Sequence, residues 1–204
     1  MRGPGMAERH CSMNEVELIR RQLGVERQHA ADAARACANA LATAASQDPD
    51  RLTSLEAFRQ ASVDYLVWIL SRFEEREQVF HDLLRTRLAA DDPDRRAAEG
   101  AFALAGTSRE ALTKLETALG ATGGTDTATR WTEFLRFFSS AWSARRDEID
   151  RLFERQAKLA DWRTVAAIDA DSIVDERNRF ARVKATLPTE IETQSSASRL
   201  QEPV

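Results

Sequence analysis

Three histidines, His10, His29 and His81, are the only imidazoles in a chain of 204 residues, and their positions limit the metal chemistry open to it. A carboxylate-bridged di-iron bundle needs Glu-x-x-His pairs on two helices. Glu77 and His81 are four apart, and no second pair matches. His10 lies near the N-terminus, and His81 falls about a third of a turn off the apolar stripe of its helix. A mononuclear site is the remaining arrangement: His29 with Glu75 and Glu148 would have facial-triad composition. The competing reading makes His29 a hydrogen-bonded core histidine, on a face with Leu18, Val25, Ala33, Ala36 and Ala40.

Charged residues recur in a second pattern. SRFEEREQVF (71–80) and ARRDEIDRLF (144–153) share an Arg, a Glu three later and a Phe five beyond that. Arg72, Arg76, Arg145, Glu75 and Glu148 therefore sit on or near helix faces that also carry core residues. A guanidinium pairs with a carboxylate through two parallel hydrogen bonds, so these residues, with His29, could form a polar network inside the protein. The alternative is that they sit at helix boundaries and extend to water.

Other chemistry has little support. Cys11 and Cys37 are the only cysteines and no C-x-x-C occurs, which argues against a disulfide scaffold and a thiolate zinc site. Cys37, set among alanines, reads as a packing thiol. No Ser/His/Asp set has motif support, and no Gly-rich phosphate loop follows a strand. Trp68, Trp131, Trp142 and Trp162 recur at helical spacing with other apolar residues and read as core anchors.

The elements that must position these residues are helices. Ser12-Met13-Asn14-Glu15 has the capping-box pattern and opens a helix to about Ala45, ended by QDPD. Its alanine-rich part gives high helix propensity and permits close approach of neighbours. Thr53-Ser54-Leu55-Glu56 repeats the pattern and starts a second helix to about Leu88. On it, Leu55, Phe58, Ser62, Leu66, Ile69, Phe73, Phe80 and Leu83 form the core stripe. A third helix, from Pro93 to Gly120, is expected to be interrupted, because Gly100 and Gly106 fall inside it and Thr107–Glu110 could restart it. ATGGTDT (121–127) reads as a flexible loop. A fourth helix runs to about Ala160, and Asp161 reads as the N-cap of a fifth, Trp162 to about Ala185. The expected organisation is one all-α domain over 12–187, an antiparallel four-helix bundle with an added C-terminal helix, between disordered segments 1–11 and 188–204.

ERQHAADAARACANAL, the two echoing segments and ERQAKLADWRTVA together resemble the hemerythrin-like (HHE) family of bacterial four-helix bundles, over residues 13 to about 180. In that family two helices carry His-x-x-x-Glu, and an Asp-Trp follows the last bundle helix. Alignment on the phenylalanines puts Ser71 and Glu75, then Ala144 and Glu148, at the His and Glu positions. A shift of one residue puts Arg72 and Arg76, then Arg145 and Ile149, there. Both registers lack the histidines, and the third helix supplies none. An oxygen-binding di-iron centre takes roughly five imidazoles plus bridging carboxylates, more than this chain holds.

The resemblance thus implies a bundle with an altered, charged centre: a metal-free binding or regulatory module, not an enzyme, expected to need no cofactor. An iron-dependent sensor or oxygen/redox protein with the reduced ligand set is the alternative. A third reading is a small-ligand pocket along the alanine-rich helix. The composition fits a cytoplasmic protein. Formal net charge is −4 and pI about 5.5, with arginine runs interleaved by acids, which argues against a nucleic-acid partner. MRGPGMAERHCS lacks the apolar run of a secretory signal, and VDYLVWIL is too short to span a membrane. A homodimer or another protein partner is compatible with all of this.

Overall fold

The computed structural model describes residues 6–47, 55–103, 113–115, 117, 124–166 and 170–188. Among the described residues the regular structure is helical throughout, with no strand, and no helix is long and apolar enough to cross a membrane. The helices are α1 (Met6–Gln47), α2 (Glu56–Arg87), α3 (Pro93–Ala103), α4 (Gly124–Phe137), α5 (Ser143–Gln156), α6 (Leu159–Ala166) and α7 (Ala170–Ala185), with one wide π turn, Phe138–Trp142, joining α4 to α5.

Several boundaries differ from expectation. Helix α1 begins at Met6, so Met6–Cys11, expected to be disordered, is helical and the Ser12–Glu15 pattern lies inside the helix. Nothing in MAERHCSMNE breaks a helix, and the capping residues cost little there. Helix α2 follows Leu55, which makes no side-chain cap bond; Thr53 and Ser54 lie outside the described residues. Gly124–Thr127, expected in a loop, form the first turn of α4. Gly100, one of the two glycines expected to interrupt the third helix, lies within α3, while Gly106 and the expected restart at Thr107–Glu110 fall outside the described residues. The expected fourth helix carries the π turn and ends at Gln156, and the expected fifth is described as α6, which begins earlier at Leu159, and α7, with residues 167–169 outside the described residues.

At the start of α6, Asp161 sits in the first turn instead of capping it. Its Oδ2 accepts from the backbone N–H of Lys158 at 2.7 Å, the return half of a capping box. Arg87 of α2 grips the same carboxylate with two bonds of 2.7 and 2.8 Å, and also donates to the Gln156 carbonyl. The short helix α6 is thereby fastened to the end of α2.

Helix α1 packs on α2, α4, α6 and α7, while α2 also meets α3, α5, α6 and α7. Glu26 of α1 pairs with Arg76 of α2, and Cys37 lies beside Ser62, so α1 and α2 run antiparallel. Arg20 with Glu154 and Arg27 with Asp150 set α5 antiparallel to α1 in the same way.

The core comes in two pieces. The larger joins Ala30–Ala44 of α1 to Phe58–Phe73 of α2, Trp131, Phe134 and Phe138 of the fourth helical stretch, and Phe180 and Val183 of α7. Alanines on α1 let the bulky Tyr65, Phe58 and Trp131 approach closely, and aromatic burial fills the space their small side chains leave. The smaller piece gathers Leu23, Phe80, Leu84, Ala98, Ile149, Phe153, Trp162 and Val165.

Candidate functional site

Between the two apolar clusters lies a layer of charge. On α1 it falls between Leu23 and Ala30, on α2 between Phe73 and Phe80, and on α5 just before Ile149. Its members are Glu26 (0% exposed), Arg76 (4%), Glu77 (8%) and Arg146 (7%). Arg76 Nη1 donates to Glu26 Oε2 at 2.5 Å and Nη2 to Oε1 at 3.4 Å, while Nε donates to the Ala166 carbonyl at 2.8 Å. One guanidinium thus ties α1, α2 and the end of α6 together. Burial pulls the Arg76 guanidinium below its ordinary value, partly offset by Glu26, and the side chain still stays charged at neutral pH.

Arg146 Nη1 donates to Glu77 Oε1 at 3.0 Å. Its Nε has no acceptor in hydrogen-bonding geometry among the described residues; Asp150 Oδ1 is the facing anion, at 3.3 Å. The other oxygen of Asp150 pairs with Arg27. Both buried guanidinium groups also lie over the Phe73 ring, at 5.8 Å for Arg76 and 5.6 Å for Arg146, which adds cation–π attraction.

A second polar cluster sits inside the larger core. Glu176 of α7 is fully buried, and its Oε1 accepts from His29 Nδ1 and from the Tyr65 hydroxyl, both at 2.8 Å. His29 stacks flat on Phe180, with ring centroids 3.9 Å apart. Burial alone would push the Glu176 carboxyl up; the two hydrogen bonds outweigh it and hold the group below its ordinary value. Burial beside Glu176 drives the Tyr65 hydroxyl up, so it remains a donor. Burial also pushes the Cys37 thiol up, to about 12.

These positions separate the expected site residues. Arg76 is in the central layer. His29 joins Glu176 instead, and Leu18 and Val25, placed on its face by the sequence, are exposed. Glu75 and Glu148 lie on solvent faces, because the buried positions of their helices are taken by Arg76, Glu77 and Arg146. Arg72 is half-buried over the Trp68 ring at 5.1 Å, one turn before Arg76. The Arg145 side chain lies outside the described residues, and its neighbour Arg146 occupies the layer. The π turn lies just before it, at Phe138–Trp142, and adds a residue to that stretch of the helix.

No group of three or more His, Cys, Asp or Glu among the described residues is arranged to hold a metal ion, so His29, Glu75 and Glu148 do not form a triad. Glu26 and Glu176 escaped the sequence reading, though each had a signal. Glu26 continues the buried stripe Leu23–Ala30–Ala33, and Glu176 stands four and seven residues before Phe180 and Val183.

The charge layer opens on one side into a half-open cavity of about 270 Å³ between α1, α2, α5 and α6. One wall is apolar: Leu23, Phe80, Ile149, Phe153, Trp162 and Val165. The other carries Arg20, Arg27, Arg76 and Arg146 against Glu77, Asp150 and Glu154. Gly24 lines the cavity, and a Cβ built there meets no atom within 4 Å, so close packing is not what requires the glycine. The cavity lies below the alanine-rich stretch of α1, whose side chains do not line it. No known family, curated protein or solved structure matches this chain.

Proposed function

We propose that this chain is a divergent, metal-independent hemerythrin-like bundle that acts as a binding module, with its ligand in the cavity beside the charge layer. The up-down bundle belongs to this reading: α1, α2, the stretch after Pro93 and the long α4–α5 rod would be its four members, with α6 and α7 added. Support comes from a centre of arginine and glutamate, and from a polar-and-apolar cavity next to it. That cavity carries the reading. Its volume is just under the roughly 300–1,000 Å³ usual for small-molecule sites, and it combines an apolar wall with convergent polar groups. The dispersed positions of His29, Glu75 and Glu148 give the iron-dependent alternative no support.

The test is a thermal-shift screen of the purified chain against small organic acids, alcohols and amines, alongside iron content after loading. A ligand that binds only the folded state raises the melting temperature with concentration. Stabilisation by at least one organic class, without stoichiometric iron, is the expected outcome. Stoichiometric iron with an oxo-bridge absorption band, and no organic binder, would overturn it.

A further inference from the structure

We infer that the cavity takes a small monocarboxylate with an apolar body, and that Asp150 is a built-in competitor for the ligand's carboxylate. The inference rests on the reading of the cavity as a ligand site and names its chemistry. Asp150 already shows that a carboxylate fits: one oxygen pairs with Arg27 and the other faces Arg146 Nε at 3.3 Å. Arg146 is almost wholly buried, yet among the described residues that Nε has no acceptor in hydrogen-bonding geometry, so the bridge leaves one donor unmet. A buried donor left in that state favours any acceptor with better geometry.

Asp150 is held on α5, and that tether restricts its approach; a free carboxylate can align both oxygens with the two guanidinium groups. The Asp150 side chain is 24% exposed, so it can yield to water without becoming a buried, unpaired charge. Arg76 is not part of the exchange, because its three nitrogens are engaged by Glu26 and Ala166. The rest of the cavity selects against phosphate. Glu77 and Glu154 also face it, which penalises a dianion more than a monoanion, and the opposite wall offers Trp162 and Phe153 to an apolar body.

The experiment measures binding of phenylacetate, neutral 2-phenylethanol and cationic 2-phenylethylamine to the full chain by titration calorimetry. Amide and indole NMR shifts locate the contact. Phenylacetate is expected to bind and to shift the Gly24 amide and the Trp162 indole. Asp150→Asn removes the competitor and is expected to tighten phenylacetate about tenfold, while Arg27→Gln weakens it by a similar factor. Gly24→Leu is expected to abolish binding without loss of folding, since a Cβ there meets no atom within 4 Å and the position lines the cavity. Equal affinity for phenylacetate and 2-phenylethanol in both wild type and Asp150→Asn overturns the carboxylate inference and leaves the binding module standing. Absence of binding by all three compounds to both proteins overturns the inference; if the broader thermal-shift screen is also negative, the binding-module reading falls with it.

Discussion

Arg76 and Glu26 show how a single buried pair can cost more broken than absent. Taking a charge out of water is expensive, and the attraction of its partner offsets that cost only while both are present. Glu26→Ala leaves the Arg76 guanidinium in the core with one carbonyl, so urea unfolding should register a loss of about 3–5 kcal/mol. Replacing both residues by leucine should recover most of it, and a double-mutant cycle would expose the coupling. Glu176 gives a pH signature. Its carboxyl is held below its ordinary value of 4.5, so the stability it contributes is present above that pH and is lost as pH falls through the lower folded value. Glu176→Gln should therefore flatten the acid limb of the stability curve, as read by denaturation midpoints between about pH 6 and pH 3. A variant whose acid limb matched the wild type would show that His29 and Tyr65 do not hold the carboxylate as described.

At the scale of elements, helix α1 carries a glycine in its interior that packing does not require. Gly24→Ala should stabilise the chain by about 0.5–1 kcal/mol, since alanine loses less backbone freedom on folding and no atom obstructs its methyl group. Helix α6 is the reverse case, a short element that depends on its fastening. Asp161→Ala removes both the return capping bond and the Arg87 clasp, and should cost about 1–2 kcal/mol in chemical denaturation. Helix existence was legible from periodicity, as the buried stripe Phe58–Ser62–Leu66–Ile69–Phe73–Phe80 on α2 illustrates. The place of Arg146 in the charge layer was not. A wheel of fixed pitch has no place for the π turn, and no residue between Phe138 and Trp142 has a type that demands one. Glu75 failed for a simpler reason: two charged neighbours, Arg76 and Glu77, were the better placed, and residue type alone did not reveal which of the four consecutive charged residues, Glu74 to Glu77, turned inward.

At the scale of the molecule, α7 closes the groove between α1 and α2 with Phe180, Val183 and the Glu176 carboxylate. Ending the chain after Ala166 should uncover Tyr65 and His29, lower the melting temperature and increase binding of a hydrophobic dye such as ANS. Both are measurable in one thermal scan. The layer between the two apolar clusters has a different consequence, for how the helices find their places. Apolar clusters alone tolerate sliding, because one greasy turn resembles the next. A slip of α2 along α1 by one turn, about 5.4 Å, would drive Arg76 and Glu77 into an apolar neighbourhood and strand Glu26 opposite a phenylalanine. The charged layer therefore works as an index mark: it makes one alignment of the rods tolerable and its near neighbours unaffordable, whatever ligand the finished protein holds.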